Sequence, residues 1–600
     1  MRRLEKSRLR RHEHPGLVLS TAILTLLFLA LSSVAHAQSE SEQPETPAEE
    51  FFAVFDVNIV NIDVWVNDKS GNPTADMGVD DFEVYRDGKP VKITNFYAVA
   101  DGRRNIAPAA AEAALEPTVE GADDELLSAP PDLSEPAPPE TDPEHRLWMI
   151  VYIDNYNIDP IERNRVLPAV QQFLMRNIRG DDQAMVVGYN RSLEVLQPFT
   201  NDTSLLASAV EQFRSHAGQA PIRQRELLQT LQRIDDADSS GQAMLYARLY
   251  ADEQLNSISF TTDALERLLE TLGGLPGRKA LVHVSSGVPM NAGEAAFQAV
   301  ATKFGASEAF SEIPRHSTAR DFERIDRQAN AHRVAFYTVD AGGLRGLQFG
   351  NAEFGGFVNP KMRRMLDSVV HENLQSPLRL MALETGGRAI LNVNRILPAL
   401  EKAALDFRTF YSLGISASGE KSGSYHKIKV KLRGPHKGLQ LRYRGGYRSK
   451  DAETRVREQL LSALLYAHED NPLAVEVDWG RPAPYGKEGN YILPIQLKVP
   501  LHDTVLLPTR PGKHEARLQL YVAAVGEDGT PSAIDTVPFG VRLADENVAA
   551  ALGESLVHTH KLLISPGRKK VGIAVLDLFG QQASVITGFL DIGPRGKPSG

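Results

Sequence analysis

Two aspartates close apolar runs, where side-chain chemistry can be held at the end of a strand. Asp154 follows LWMIVYI (residues 147–153) and opens the stretch Asp154-Asn155-Tyr156-Asn157-Ile158-Asp159, and Asp340 closes VAFYTV (residues 334–339). A pair of carboxylates facing one cleft can serve as acid and base, so a carboxylate-dependent hydrolase is one reading. Ser285-Ser286-Gly287 follow a third apolar run, ALVHV. His558-x-His560 has the spacing of a metal pair on a strand, but a lone pair in polar surroundings reads as surface decoration. Gly342-Gly343 lacks the glycine spacing of a phosphate loop and reads as a turn. No HExxH, GxSxG or P-loop stretch occurs. The chain has no cysteine, which excludes a thiolate nucleophile, a thiolate metal site, disulfides and a lipoprotein anchor. The residues point to a binding protein and not to an enzyme.

A second feature is electrostatic. Lys427, Lys429, Lys431, Arg433, Lys437, Arg442, Arg444 and Arg448 alternate with apolar residues, so one strand face carries positive charge. Such a face is either a solvated, charge-guarded sheet surface or a dock for an acidic partner or an anionic surface polymer. Tyr443 and Tyr447 beside it read as core. The formal net charge of −10 over 600 residues excludes a general nucleic-acid binder.

The elements that position these residues can be read from periodicity. From Arg146, short continuous apolar runs (LWMIVYI, AMVVGY, ALVHV, VAFYTVD, AILN, TFYSLGI) alternate with amphipathic helical patterns such as ERNRVLPAVQQFLMRNI, SLLASAVEQF and TTDALERLLETL. Strands buried on both faces and separated by helices predict a doubly wound α/β domain with a parallel sheet over 146–415. Ligands bind such sheets at the carboxyl ends of the strands, which is where Asp154, Ser285 and Asp340 stand. Residues 218–256 and 291–330 break the alternation and read as helical insertions near that face.

On either side the period is two. VFDVNIVNIDVWVND alternates, with a phase slip near Val60-Asn61 that predicts a bulge. Asp87-Gly88 between alternating stretches predicts a two-residue hairpin. Residues 51–100 are therefore a first β segment, and 416–450, with two strands about a Gly-Pro turn, are expected to complete it. Residues 451–600 read as a helix followed by an all-β sandwich. Residues 101–145, rich in Ala, Pro, Glu and Asp, read as a disordered linker, and 38–50 as a flexible tether. Arg2, Arg3, Lys6, Arg8, Arg10 and Arg11 precede an uncharged apolar run from Leu17 to Val34 that ends in Ala35-His36-Ala37. That order is a signal peptide, 1–37, cut after Ala37, and it predicts export to the periplasm, cell surface or medium with no transmembrane span left after cleavage.

With the phrases DFEVYRDGKPVKITNFYAV, IDNYN, PFTND, LPGRKALVHVSSG, FYTVDAGGL and ETGGRAI…ALEKAALDFRTFYSLGIS, the chain resembles a von Willebrand factor A domain protein over roughly residues 51–450. It is most similar to the VWFA-related group of acidobacteria and other soil bacteria. The resemblance implies a protein-binding, adhesion-type role and a metal-ion-dependent adhesion site, in which D-x-S-x-S, a Thr and an Asp hold Mg²⁺ or Mn²⁺ and a partner's carboxylate completes the shell. Asp154 matches the leading Asp, but Tyr156 and Ile158 stand where the serines belong. Asn157 offers a carbonyl one position out of step, Thr261 or Thr262, at the start of a helix, would fill the Thr role, and Ser285 or Ser286 replaces the third-loop Asp. The implied site is degenerate, with Asp154, Asn157, Thr261 and Ser285 holding a cation weakly. Tyr156, Ser286, Asp340, Lys429, Lys431, Arg442 and Arg444 are the expected partner contacts.

Overall fold

The computed structural model describes residues 58–106 and 146–593, apart from 75, 101–102, 345–359, 435, 437 and 487–488. The export segment, the tether, most of the expected linker and Lys437 lie outside the described residues.

Strands β1 (Ile59–Asn67), β2 (Phe82–Arg86), β3 (Lys89–Val91), β4 (Ile93–Ala100) and β5 (Arg103–Ile106) come first. Asp87 and Gly88 both have positive φ, 51° and 80°, as a two-residue turn between β2 and β3 requires. Next come β6 (Leu147–Ile153), α1 (Pro160–Asn177), β7 (Gln183–Tyr189), β8 (Leu193–Thr200), α2 (Thr203–Gln212), α3 (Ala220–Asp236), α4 (Ser240–Thr271) and β9 (Arg278–Ser285). They are followed by α5 (Glu294–Phe304), α6 (Ala319–Ala331), β10 (Val334–Asp340), α7 (Pro360–Glu384), β11 (Arg388–Ile390) and α8 (Ile396–Arg408). The strands of this region form one sheet in the order β11-β10-β9-β6-β7-β8, parallel except for β8.

Both faces of the sheet are covered, which is why its strands read as unbroken apolar runs. Met149, Val151 and Ile153 of β6 pack on α1, α2 and α8 through Val170, Phe173, Leu206 and Leu400. Trp148, Ile150 and Tyr152 point the other way, onto α4, α6 and α7 through Leu265, Leu269, Ile325 and Met381. The insertions build a core of their own. Leu227 and Leu231 of α3 meet Met244, Ala247 and Tyr250 of α4 and Phe297 and Val300 of α5. Helix α4 runs unbroken for 32 residues, so the segment beginning at Thr261 does not start a helix. The charges in its first half lie on the solvent side of the insertion and do not end it.

After α8 come β12 (Phe410–Ser416), β13 (Tyr425–Leu432), β14 (Gln440–Tyr443) and β15 (Gly446–Arg448). These pair with the first strands of the chain, in the sheets β14-β1-β12-β4-β5 and β15-β13-β2-β3. Ile62, Val64, Phe82, Val84, Leu413 and Val430 form their shared core. Two local expectations fail here, the placing of TFYSLGI and the bulge in β1. TFYSLGI belongs to this antiparallel sheet and not to the α/β layer, because β12 lies between β1 and β4. The two strands about the Gly-Pro turn go to different sheets, β13 joining β2 and β14 joining β1. The bulge predicted at Val60-Asn61 is absent, as β1 pairs residue for residue with β12 from Ile59 to Val64. Val60 packs with Ile62 and Val64, Ile59 faces outward, and the irregular step lies at Gly414/Ile415.

Helix α9 (Ala452–Tyr466) leads to β16 (Glu476–Trp479), β17 (Ala483–Tyr485), β18 (Asn490–Pro500), β19 (Leu507–Arg510), β20 (Lys513–Val525) and β21 (Asp535–Ala544). Helix α10 (Asp545–Ala551), β22 (Ser555–Ile564), β23 (Gly567–Asp577) and β24 (Ala583–Ile592) complete the chain's described part. Two sheets face each other here. Leu493, Ile495 and Leu497 of β18 meet Leu518, Leu520, Ile573 and Val575, while α9 covers the outer side of β20 and β23 through Leu460 and Ala463. His558 stacks on Phe539 at 4.7 Å and His560 pairs with Asp535 at 3.3 Å, so the two histidines serve the packing of this region.

The α/β layer is tied to the first β layers by buried charge. Asp406 near the end of α8 has no solvent exposure. It accepts two hydrogen bonds from Arg388 (2.8 and 2.7 Å) and one from Arg442 (2.7 Å), while its backbone carbonyl takes the indole N–H of Trp65 (2.9 Å). Arg442 also donates to the carbonyls of Gly386 and Gly387. Arg444 is buried, donates to the carbonyls of Asn330 and Asn61, and is pulled down to about 10 by burial, with the charge of Arg333 adding.

Asp326 in α6 is a counter-example, a buried carboxylate whose oxygens have no hydrogen-bond partner among the described residues. Burial, then Glu384 and Glu323, push its pKa up to about 8. An acid whose folded pKa lies above its unfolded value of about 3.9 stabilises the fold at low pH, and that stability is lost as pH rises through the folded value. Asp326→Asn is therefore expected to match the wild type near pH 4 and to gain about 1.4 kcal/mol for each further pH unit up to about pH 8. Urea unfolding across that range measures it, and a pH-independent difference between the two proteins would refute the assignment.

Candidate functional site at the strand ends

Strands β6 and β9 run side by side in parallel, with Ile153 opposite Val284, so Asp154 emerges next to Ser285. The backbone N–H of Asp154 continues the ladder to Val284 O at 2.9 Å. Its carboxylate is fully buried. Oδ1 accepts the backbone N–H (3.1 Å) and the side-chain amide (2.9 Å) of Asn157, and Oδ2 accepts the Ser285 hydroxyl (2.8 Å). Ser285 Oγ in turn accepts the N–H of Gly287. Gly287 has φ +96°, and a Cβ there would stand 2.4 Å from the Leu374 carbonyl, so the loop needs glycine.

The Asn157 amide is used at both ends. Its NH₂ reaches Asp154 and Thr261 Oγ1 (3.2 Å), and its Oδ1 accepts a hydrogen bond from the Arg223 guanidinium. Arg223, in the first turn of α3, also donates to the Tyr156 carbonyl (3.0 Å) and lies over the Tyr156 ring, 4.8 Å from its centroid. Ser257 of α4 donates to the Tyr156 hydroxyl at 3.1 Å. Burial lowers the Arg223 pKa, and the Asp154 charge opposes it. Below the loop, Asn155 is fixed by Arg163 (2.5 Å) and the Ala217 carbonyl (2.9 Å), and Asp159 caps α1 by accepting the N–H groups of Ile161 and Glu162.

The four residues expected as metal ligands thus come together, but as a hydrogen-bond network. A hard divalent cation needs about six oxygens around it. Here each Asp154 oxygen already accepts N–H or O–H groups, the Asn157 carbonyl faces a guanidinium, and the Thr261 hydroxyl donates to the Ser257 carbonyl one turn back in α4. The donor set does not fit Mg²⁺ or Mn²⁺. Thr262 turns to the carbonyls of Ile258 and Ser259.

Asp340 lies opposite Ser285 on the other side of β9, fully buried, taking the Gly342 N–H (2.9 Å) and the Gln375 amide (2.6 Å). Neither aspartate lines the cavity that opens beside the loop. That cavity, of about 310 Å³, lies between α3, α4, α5, α7 and the strand ends, with Asn157, Arg223, Tyr250, Gln254, Ile258 and Leu374 among its walls. Ser286 lines it as well and donates to Glu162 at 2.5 Å. Tyr156 is buried beneath Arg223.

Of the expected partner contacts on the basic stripe, Lys429 and Lys431 are exposed on β13, with Lys427 beside them. Arg442 and Arg444 are not available as contacts, since they are the internal donors to Asp406, Gly386, Asn330 and Asn61 described above. Arg223 and Gln254 were not singled out in the sequence. They sit in a helical stretch rich in charge, and no local motif separates them from their neighbours.

The geometry defines a mixed α/β protein with several sheets, some parallel, and a helix-walled cavity at the strand ends. No family model and no curated protein matches the chain. Among solved structures it is similar to a von Willebrand factor type A protein from Catenulispora acidiphila, at 10% identity over 74% of this chain and 65% of that one, TM-score 0.19. It is also similar to the three N-terminal domains of the type V pili tip protein Mfa5 from Porphyromonas gingivalis (9% identity, 74% and 75% covered, TM-score 0.23) and to BatB from Bacteroides thetaiotaomicron (10%, 44% and 96%, 0.18). Likenesses this weak carry no argument about function.

Asp154→Asn would replace an acceptor by an amide that faces the Asn157 and Ser285 donors. A loss of about 2–4 kcal/mol in urea unfolding is expected, since buried donors are left unpaired. A variant within about 0.5 kcal/mol of the wild type would mean that the carboxylate does not anchor the loop.

Proposed function

We propose that the chain is an exported, multidomain, adhesion-type protein that binds a protein partner. In this reading residues 146–415 are a doubly wound, von Willebrand factor A-like domain whose metal-ion-dependent adhesion site is degenerate. Residues 51–100 and 416–450 form one β-domain around it, and 451–600 form a helix and a β-sandwich that space and orient it. The observation that carries the reading is the cavity at the strand ends, walled by the helical insertions and lined by a mixture of apolar and polar side chains. The exposed lysines of β13 offer a second face, suited to an anionic surface polymer. A hydrolase working through Asp154 and Asp340 has less support, because both carboxylates are sealed by donors and stand outside the cavity. A purely structural envelope protein would have no use for the cavity.

Gln224, exposed on α3 at the cavity wall, provides a test that leaves the core alone. A partner captured from envelope extracts and then purified is expected to bind Gln224→Trp at least about tenfold more weakly than the wild type, the effect of blocking a central pocket. Replacing Lys427, Lys429 and Lys431 together by Glu is expected to spare that binding and to abolish retention on a sulfated polysaccharide. Turnover of a glycan or peptide library by the mature chain would sink the proposal.

A further inference from the structure

We propose that the Arg223 guanidinium is a built-in cation that holds the Asp154 loop in the role a bound metal ion would play. The inference stands on the loop geometry alone and is independent of what the cavity binds.

A carboxylate with no solvent exposure needs positive charge or several donors close by. Among the described residues, no lysine or arginine touches Asp154 directly, and His283 stays 3.9 Å away with neither ring nitrogen hydrogen-bonded. The Ser285 hydroxyl and the Asn157 backbone N–H supply neutral donors, and the link to a positive charge runs through the Asn157 amide. Arg223 takes the Asn157 carbonyl, which turns the NH₂ of that amide toward the Asp154 carboxylate. The amide passes on the polarity of the guanidinium: positive group to oxygen, N–H to carboxylate. A metal ion would impose the reverse, drawing the amide oxygen and the carboxylate to one point.

Arginine suits this place better than lysine. Its planar fork reaches two acceptors on different parts of the loop, Asn157 Oδ1 and the Tyr156 carbonyl, while its face lies on the Tyr156 ring. Arg223 also comes from α3, so the same contact docks the helical insertion onto the strand ends. Loop shape and insertion docking are set together when the chain folds, with no dissociable ion.

The test is thermal melting of the whole mature chain. Wild type is expected to melt at the same temperature in EDTA, Mg²⁺ and Mn²⁺. Arg223→Ala is expected to melt about 5 °C lower. Methylguanidinium, at a concentration that leaves the wild type unchanged, is expected to restore part of that loss, while equal NaCl restores none. Arg223→Lys, which keeps the charge but not the fork, is expected to fall between the two and to gain nothing from methylguanidinium. The double variant Arg223→Ala/Asn157→Ala is expected to lose less than the sum of the two single losses, because the two residues share a hydrogen bond, while the Tyr156 contacts of Arg223 keep it below Asn157→Ala alone. Saturable stabilisation of the wild type by Mn²⁺ that is lost in Asp154→Ala would overturn the inference. So would an Arg223→Ala protein that melts with the wild type, or additive losses in the double variant.

Discussion

One carboxylate, that of Asp406, is the joint on which the relation between the α/β layer and the first β layers depends. It stands in the last turn of α8, where the helix dipole disfavours negative charge, and it is wholly buried. It is tolerable there only because Arg388, from the start of β11, and Arg442, from β14, both close on it. Those two strands lie in different sheets. Removing the carboxylate would leave two half-buried guanidinium groups without their counter-charge, at a cost of about 3–5 kcal/mol, which makes the joint hard to loosen by small steps. Trp65 and Asn67 of β1 join the same cluster, so the first strand of the chain and the last helix of the α/β layer are held by a common set of atoms.

The joint lies at the amino ends of the parallel strands, and the cavity lies at their carboxyl ends. Arg278 begins β9 and donates to Phe407, whereas Ser285 ends it and binds Asp154. The sheet therefore has a clamped end and a presenting end. At the clamped end, guanidinium groups meet carboxylates and carbonyls of neighbouring layers. At the presenting end the parts that differ from a plain α/β alternation, α3 to α5, are held by Arg223, Tyr156, Asn157 and Ser257. The cavity forms between two separately packed cores, that of the sheet and that of the insertion.

Much of this was legible in the sequence where the cause was local. The apolar run 147–153 reads as a strand covered on both faces because its side chains do fill two cores. Asp87-Gly88 reads as a turn because both residues need positive φ. The loops carrying Asp154, Ser285 and Asp340 could be placed at one end of a sheet from the alternation alone. The failures share a different cause, pairing over long distances. Arg442 and Arg444 looked like one solvated face with Lys429 and Lys431, but a carboxylate from α8 and carbonyls from β1 and α6 draw them inside. Thr261 stands inside α4 and not at a helix start because one helix serves two cores, that of the insertion through its first half and that of the sheet through its second. Arg223 carried no signal, since its role is defined by Asn157, 66 residues earlier.

A chain without cysteine must fix its loops by other means than disulfides. Here the recurring means is a buried or half-buried arginine whose fork closes on acceptors held by another part of the chain. Arg163 ties Asn155 to the loop after α2, Arg223 ties Asn157 to Tyr156, Arg388 and Arg442 meet on Asp406, and Arg444 bridges α6 and β1. Each contact is directional and each is costly to break, because a desolvated guanidinium has no second choice of partner. None depends on redox state, and all but the Asp406 pair bind neutral oxygens, whose acceptor strength does not change with pH. Cross-links of this kind keep the cavity end of the sheet in one shape under conditions that would strip a weakly held ion.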